Sequence, residues 1–269
     1  MEPVRSMGGG FLSVSARGTP SMGQRRIAIL GGCGGIGRGV VAACLARGDA
    51  VAVLDLPVSL GLHPPPEATV AIAVDGADAA SVAAAFGALE AQWGALEGFV
   101  NAAGFLIDLR SLAQTSAEDF DTTIAGNLRT TFLACKAAMT LLENGNAPSL
   151  VNISSGLGSY IRPNHGAYAA AKAGMIALTK TLALEHAPRV RVNAVAPGAV
   201  DTAFLRGGTG RSDEGDAIAL DIKAYSASIP LRRIAVVEDV VGPIMFLLGP
   251  DSGYMTGQTL WLNGGAYMP

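Results

Sequence analysis

Short runs of apolar residues alternate with helix-compatible segments along most of this 269-residue chain. The apolar runs, from Arg25 onward, are RRIAIL, AVAVLD, TVAIAV, GFVNAA, SLVNIS, VRVNAVA and QTLWLN. Most of them are too continuously apolar to have one face in water, which is typical of parallel strands covered by helices on both sides. The segments between them predict helices that begin near Gly35, Asp78, Thr115, Gly166 and Glu238. The pattern therefore predicts a single α/β domain with a doubly wound parallel sheet, whose ligands bind beyond the carboxyl ends of the strands.

Composition excludes several other classes of protein. Lys and Arg number 19 against 22 Asp and Glu, a formal charge of −3, which argues against a nucleic-acid partner or an anionic membrane surface. The apolar runs are shorter than the roughly 18 residues that a membrane span needs. The cysteines Cys33, Cys44 and Cys135 show no CxxC spacing, which disfavours a disulfide framework and predicts no metal site. Unpaired cysteines are typical of a reducing compartment, so we expect a cytoplasmic protein.

Two segments stand apart from the alternating pattern. Residues 1–24 are rich in Gly, Ser and Arg and predict a flexible tail, with a transit peptide or a true start at Met22 as alternatives. Residues 25–269 form the predicted domain. Within it, residues 201–229 contain the sequence RGGTGRSDEGD, whose length, glycines and charges predict a mobile substrate lid.

A glycine cluster, GGCGGIG, follows the first predicted strand and opens a helix. Glycines at Gly31, Gly35 and Gly37 allow a pyrophosphate to approach the backbone, and the helix amino terminus offers free N–H groups to its charge. Asp55 ends the second strand, about 20 residues downstream, where a carboxylate can accept both ribose hydroxyls and repel a 2′-phosphate. No Arg or Lys stands at Gly34 or directly after Asp55. The sequence thus predicts a dinucleotide site and favours NAD over NADP, while a solvated turn residue is the alternative for Asp55.

Further motifs follow in a fixed order along the chain. They are NAAG at 101–104, Asn127 within a helix, NISS ending at Ser155, YAAAK from Tyr168 to Lys172, and PGAVDT at 197–202. With the glycine cluster, they resemble the single-domain short-chain dehydrogenase/reductase family from Arg25 to the end of the chain. The resemblance implies a Rossmann fold and a homotetramer formed through the helices of Asn127 and Tyr168 and the carboxyl-terminal strand. Leu30 and Ala102 depart from the family pattern, which usually has Thr and Asn at these positions.

Tyr168 and Lys172 are four residues apart in a helix-compatible run, so they share one face of the helix. A neighbouring ammonium stabilises a phenolate, and we therefore expect Lys172 to lower the pKa of Tyr168 toward that of a useful base. Ser155 lies at the end of a predicted strand and can hold the substrate oxygen near Tyr168, with Ser154 as the alternative.

The resemblance implies the remaining roles. Lys172 would also bind the nicotinamide ribose, and Asn127 would interrupt its helix and hold a water that relays protons to solvent. Contact with the dinucleotide is implied for Gly31, Cys33, Gly34, Gly35, Ile36, Gly37, Asp55, Leu56, Asp75, Gly76, Asn101, Ala102, Gly104, Tyr168, Lys172, Pro197, Gly198, Val200 and Thr202. Contact with substrate is implied for Phe105, Leu106, Ser155, Leu157 and His165. For His165, a loop histidine bonded to its own backbone is an equal alternative.

These residues predict an NAD-dependent oxidoreductase that interconverts a secondary alcohol and a ketone, both small molecules. An NADPH-dependent carbonyl or 3-ketoacyl reductase is the closest alternative, and the carboxylate of Asp55 opposes it. An enoyl reductase usually has its Tyr and Lys further apart than the four residues between Tyr168 and Lys172. A non-catalytic dinucleotide-binding scaffold is the alternative from another class, although it would be expected to lack the Tyr or the Lys.

Overall fold

A single parallel sheet of seven strands forms the centre of the protein, in the order β3-β2-β1-β4-β5-β6-β7. The computed structural model describes residues 20–21, 23–107, 109–208 and 220–268. Each predicted apolar run contains one strand, and every neighbouring pair is parallel. The predicted doubly wound fold is therefore confirmed. The strands are β1 (Arg26–Leu30), β2 (Ala50–Asp55), β3 (Val70–Ala73), β4 (Gly98–Asn101), β5 (Ser149–Ile153), β6 (Arg191–Pro197) and β7 (Thr259–Leu262).

Helices cover both faces of the sheet. The described helices are α1 (Gly35–Ala46), α2 (Pro57–Leu62), α3 (Ala79–Trp93), α4 (Ala117–Ile124), α5 (Thr130–Glu143), α6 (Gly166–His186), α7 (Ile222–Ser228) and α8 (Val237–Leu248). One core cluster joins α1 and α8 to the sheet, and the other joins α3, α5 and the end of α6 to the opposite face. Along β1, Ile27 and Ile29 belong to the first cluster and Ala28 and Leu30 to the second. Burial on both faces explains why the strands carry uninterrupted apolar sequence.

Local capping fixes where the helices begin. The Asp78 carboxylate accepts hydrogen bonds from the backbone N–H groups of Ala80 and Ser81 at 2.7 and 3.1 Å, so α3 starts where the sequence predicted. The helix predicted near Thr115 is capped one residue later, because Ser116 Oγ accepts from the Asp119 N–H at 3.0 Å. That helical stretch is also divided, since a π-helical turn over Ala125–Arg129 separates α4 from α5.

Parts of two predicted segments fall outside the described residues. Residues 1–19 and 22 of the predicted tail do so, while at its end Gln24 Nε2 donates to the Gly48 carbonyl at 2.7 Å. Residues 209–219 of the predicted lid also lie outside, between the 3-10 turn Ala203–Arg206 and α7. Tail and lid both stay predictions. Within the described ranges, no helix is long and apolar enough to cross a membrane.

The strand order positions the ligand site. Strands β1 and β4 are neighbours, and the chain builds outward from them in both directions, through β2 and β3 on one side and β5, β6 and β7 on the other. Such a switch in direction leaves a crevice beyond the carboxyl ends of the central strands. Asp55, Asn101 and Pro197 are the last residues of their strands and lie at this edge of the sheet.

Candidate active site

A cavity of about 950 Å³ lies over the carboxyl edge of the sheet. One end is lined by Asp55, the last residue of β2, and by Asp75, which follows β3, and the other end by Ser155 and Tyr168. The loop after β1 lines the part between them. The cavity is thus long enough in the plane of the sheet to join the predicted nucleotide site to the predicted reaction centre.

The turn after β1 has the geometry of an anion-binding loop. Gly31 has φ +78°, a left-handed conformation that favours glycine. A Cβ at Gly37 would lie 2.1 Å from the Gly31 carbonyl oxygen, so only glycine permits this contact between helix and turn. Helix α1 begins at Gly35 with no side chain capping it, which leaves its first N–H groups directed at the cavity edge. This cradle fits a pyrophosphate, whose charge the helix amino terminus stabilises.

The Asp55 carboxylate is held by the same turn. Its Oδ2 accepts from the Cys33 N–H at 2.9 Å, and its Oδ1 accepts from the Leu56 N–H at 2.8 Å. Both oxygens retain further acceptor capacity, and the side chain is half-buried in the cavity wall. A fixed carboxylate at this position accepts hydroxyl donors and repels a second negative charge.

Three predicted catalytic side chains meet at the other end of the cavity. Tyr168 and Lys172, in the first two turns of α6, are only 6% and 3% exposed. Lys172 Nζ lies 5.5 Å from the centroid of the Tyr168 ring and donates to the Ile153 carbonyl at 3.0 Å. Ser155 is hydrogen-bonded to Tyr168 and also accepts from the Leu157 N–H at 3.2 Å. Ser154, the alternative, is buried with its hydroxyl donating to the Lys172 carbonyl at 2.9 Å.

Burial dominates the titration of the Tyr168 and Lys172 pair. It raises the pKa of Tyr168 above its ordinary range, and the hydrogen bond with Ser155 opposes this shift only in part. Burial also lowers the pKa of Lys172 to about 7. The expected lowering of the Tyr168 pKa by Lys172 is therefore wrong for this structure, because loss of hydration disfavours the charged form of both groups.

The lowered pKa of Lys172 predicts a pH-dependent stability. Between about pH 7 and 10.5 the unfolded chain binds a proton at Lys172 that the folded protein does not. The free energy of unfolding of the wild type should therefore rise with pH across this window, by up to about 1.4 kcal/mol per pH unit. Urea unfolding of the wild type and of Lys172→Met measures the effect. The variant should lack this part of the slope, and parallel pH profiles for the two proteins would contradict the prediction.

Asn127 lies in the π-helical turn, as the resemblance implied, and is fully buried. Its Nδ2 donates to the carbonyls of Phe105 and Thr123 at 3.0 and 2.9 Å, which directs Oδ1 the other way. Among the described residues, Asn127 Oδ1 has no hydrogen-bond partner. A Cβ at Gly104 would lie 2.7 Å from this oxygen and 3.2 Å from Lys172 Nζ, so both polar atoms flank the backbone at Gly104.

Most residues implied for dinucleotide contact line the cavity. These are Gly31, Gly34, Gly35, Ile36, Gly37, Asp55, Leu56, Asp75, Gly76, Ala102, Gly104, Tyr168, Lys172, Pro197, Gly198, Val200 and Thr202. Cys33, Asn101 and Asn127 are buried behind its wall. Asn101 corrects the sequence interpretation, because its Nδ2 donates to Thr131 Oγ1 at 3.0 Å and Asn152 Oδ1 at 3.3 Å beneath the site. Cys33 contributes its backbone N–H to Asp55 and buries its thiol.

The residues implied for substrate contact also line the cavity, near Tyr168. They are Phe105, Leu106, Ser155, Leu157 and His165. His165 Nδ1 lies 2.7 Å from the Pro163 carbonyl oxygen. Because a carbonyl only accepts, Nδ1 carries the hydrogen, and His165 has the backbone bond that the alternative interpretation proposed. Its contact with substrate stays a prediction.

One wall of the cavity was missed by the sequence interpretation. It consists of aromatic and cationic side chains from four separate segments: Tyr160, Arg162, Arg206, Tyr225 and Tyr267. The loop YIRPNH, which directly precedes α6, is the one sequence signal that could have indicated the first two. Tyr225 and Tyr267 come from regions with no motif, and only the fold brings them to the site.

Comparison with known proteins identifies the family. A family model described as "Enoyl-(Acyl carrier protein) reductase" matches residues 31–267. The protein named "Uncharacterized short-chain type dehydrogenase/reductase y4vI" of Sinorhizobium fredii is 36% identical over 247 residues. The match covers 90% of this chain and 43% of that relative, so the chain spans less than half of its length. The chain belongs to the short-chain dehydrogenase/reductase family. The predicted family is thereby confirmed.

Two further matches cover nearly the full length of this short-chain dehydrogenase/reductase. "2-(S)-hydroxypropyl-CoM dehydrogenase 3" of Xanthobacter autotrophicus is 34% identical over 247 residues, which are 89% of this chain and 95% of that protein. The solved structure "ElxO with NADP Bound" has a TM-score of 0.81 and 27% identity, and the match covers 90% of this chain and 98% of that one. The chain is accordingly an oxidoreductase of a family that binds nicotinamide dinucleotides.

Proposed function

We propose that this short-chain dehydrogenase/reductase interconverts a secondary alcohol and a ketone with NAD(H). The observation that carries the proposal is the meeting of Tyr168, Ser155 and Lys172 at one end of the cavity, with the glycine turn and Asp55 toward the other. A proton-transfer group and a hydride carrier must both reach the same substrate carbon and oxygen. This cavity connects the two sites without a barrier of side chains between them.

In the proposed oxidation, the alcohol oxygen lies between Ser155 and Tyr168. Ser155 holds that oxygen by a hydrogen bond, and Tyr168, in its phenolate form, takes the hydroxyl proton. Bound NAD⁺ would supply the acceptor for the hydride that leaves the substrate carbon. The O–H and C–H bonds break, a C=O bond forms, and two electrons leave the substrate with the hydride. In the reverse direction Tyr168 donates the proton to the forming alkoxide.

Lys172 and Asn127 would return the proton to solvent. Lys172 Nζ lies 5.5 Å from the centroid of the Tyr168 ring and would hold a ribose hydroxyl of the bound dinucleotide. The unpartnered Oδ1 of Asn127, close to the same Nζ across Gly104, would accept a hydrogen bond from a relay water. Burial lowers the pKa of Lys172 to about 7, so near neutral pH this residue can both release and regain the relayed proton.

Asp55 supports NAD as the cofactor. Its carboxylate is fixed by two backbone N–H groups at the nucleotide end of the cavity, where a 2′-phosphate would meet a like charge. A similar solved structure contains NADP, so NADP is the alternative cofactor. The corresponding alternative function is an NADPH-dependent carbonyl or 3-ketoacyl reductase.

Asp55→Asn should weaken the preference for NAD. The amide removes the repulsion of the 2′-phosphate, and we expect the ratio of the NADP and NAD dissociation constants to fall about tenfold. Isothermal titration with both dinucleotides measures the ratio. Asp251→Asn removes an exposed charge elsewhere and should leave it unchanged. Tighter binding of NADPH than of NADH by the wild type would overturn the proposed cofactor.

A screen of secondary alcohols with NAD⁺ and NADP⁺, followed by absorbance of the reduced cofactor, tests the reaction. Turnover of at least one alcohol with NAD⁺ is expected. Reduction of 2-enoyl thioesters without alcohol oxidation would instead support an enoyl reductase, the activity that the matching family model describes. Dinucleotide binding with no turnover across the panel would support a non-catalytic scaffold.

We also propose a homotetramer in the cytoplasm. Strand β7 forms an edge of the sheet with half-buried side chains, and α5 and α6 expose the apolar side chains of Phe132 and Leu184, 50% and 84% accessible. These surfaces match those that the family resemblance implied. Light scattering should give a mass of about four times 27.3 kDa, and a monomer at micromolar concentration would contradict the proposal. The three buried, unpaired cysteines support a reducing compartment.

A further inference from the structure

The guanidinium of Arg162 lies in the cavity wall, and no acceptor for it is found in the part of the chain that the structure describes. Arg162 is in the loop before α6 and lines the same cavity as Ser155 and Tyr168. Its Cζ lies 5.3 Å from the centroid of the Tyr160 ring and 5.7 Å from that of Tyr225. Among the described residues it has no hydrogen-bond or ion-pair partner, so its planar group is held by ring faces alone.

The two rings are themselves fixed in place. The Tyr225 hydroxyl accepts from the Ala199 N–H at 3.3 Å, which ties α7 to the loop after β6. Tyr160 stacks on Tyr267 with centroids 5.2 Å apart, and the Tyr267 hydroxyl lies 3.1 Å from Ser159 Oγ. Because the guanidinium contacts the rings through its face, its N–H edge is available for hydrogen bonds. The fixed rings also hold the guanidinium in place, so less conformational entropy is lost when it binds a ligand.

Among the described residues, positive charges outnumber negative ones in this half of the cavity. Besides Lys172, the charged residues described along the wall near Tyr168 are Arg110, Asp119, Arg162 and Arg206. Arg110 and Asp119 form an ion pair at 3.2 Å. Arg206, like Arg162, has no partner within the described ranges. A cavity wall that presents guanidinium groups without partners among the described residues favours an anionic ligand.

We propose that Arg162 binds an oxyanion on the substrate, so that the enzyme acts on secondary alcohols or ketones that carry a second, anionic group. A guanidinium edge matches a carboxylate in bidentate geometry, and sulfonate and phosphate oxygens offer the same acceptors. The inference rests on the proposed function, because it places the reacting carbon at Tyr168 and the anion at Arg162. Arg162 is then a substrate-binding residue that determines specificity, outside the proton-transfer machinery.

A series of methyl ketones that carry a terminal carboxylate and differ in chain length tests this proposal. The rate of reduction of each carboxylate is compared with that of its methyl ester. For at least one length we expect kcat/KM with NADH to favour the carboxylate about tenfold or more, mainly through KM. Arg162→Gln should reduce that ratio to about one, and Arg162→Lys should restore part of it. Lys180→Gln removes an equal charge from an exposed position and should keep the full ratio. Ketosulfonates and ketophosphates then distinguish among oxyanions.

A binding measurement separates this inference from the proposed reaction. Calorimetric titration of NADH-loaded Tyr168→Phe with the same ketones reports affinity without turnover. Esters that bind as tightly as carboxylates at every length, or a preference that survives in Arg162→Gln, would overturn the inference and leave the reaction untouched. Carboxylate binding that depends on Arg162, without turnover of any alcohol or ketone by the wild type, would instead overturn the proposed function alone.

Discussion

Tyr168→Phe is expected to reduce kcat/KM by about 10³-fold or more, since positioned proton transfer contributes ~10²–10⁴-fold to enzymatic rates. The substitution removes one oxygen from a buried ring. The ammonium group of Lys172 and the ring of Phe204 pack against this ring and hold it in place. The phenyl ring should therefore keep its position while the hydrogen bond with Ser155 is lost. Steady-state reduction of a ketone with NADH, or oxidation of an alcohol with NAD⁺, measures the loss.

The cofactor should still bind to this variant. Asp55 lies at the other end of the cavity and the glycine turn lies between the two ends, so the dissociation constant of NAD should change less than about twofold. Tyr254→Phe, which removes a hydroxyl from a fully exposed ring, serves as the matched control and should retain wild-type rates. A Tyr168→Phe enzyme with near-normal kcat would remove the basis for the proposed acid–base role.

Gly37→Ala is expected to damage both stability and cofactor binding. The new methyl group would lie 2.1 Å from the Gly31 carbonyl oxygen and 2.8 Å from Gly32 Cα, which are backbone atoms and cannot rotate away. The helix must then move off the turn. We expect the free energy of unfolding to fall by about 2 kcal/mol or more, as in other overpacked sites. The dissociation constant of NAD should rise at least about tenfold, because the same turn forms the pyrophosphate cradle.

Gly87→Ala provides the opposite control. Gly87 lies within α3, and a Cβ there would meet nothing within 4 Å. Replacing a helical glycine by alanine at an open position should stabilise the protein by up to about 1 kcal/mol and leave cofactor binding unchanged. Urea unfolding and calorimetric titration of both variants measure the contrast. Equal stabilities for Gly37→Ala and Gly87→Ala would show that the close packing at the turn is dispensable.

The fold was predictable because each strand carries its own signal. Runs such as RRIAIL and AVAVLD carry apolar residues on both faces, and only strands between two helical layers bury both faces. The order of the strands in the sheet and the division of one helical stretch into α4 and α5 were harder to predict from the sequence. The π-helical turn at Ala125–Arg129 does not change the spacing of the apolar residues. The helix was predicted to begin near Thr115, but the next residue, Ser116, also carries a hydroxyl and caps the helix.

The site was predictable where chemistry requires particular residues at fixed spacing. Tyr168 and Lys172 share a helix face because they are four residues apart, and Asp55 ends a strand that must end at the ligand edge. The sign of the Tyr168 pKa shift was not predictable, since it depends on burial by the whole fold. The wall of Tyr225 and Tyr267 was equally inaccessible, because long-range packing alone brings residues after 220 against the loop of Arg162.

The crossover of the sheet between β1 and β4 has a practical consequence for redesign. In the proposed function, selection of the coenzyme would reside on the β2 flank, with Asp55, and selection of the reactant on the opposite flank, with Arg162. Because the two residues share no contacts, their substitutions should combine additively in free energy. Coenzyme preference and reactant range could therefore be engineered as separate modules and recombined in one catalyst.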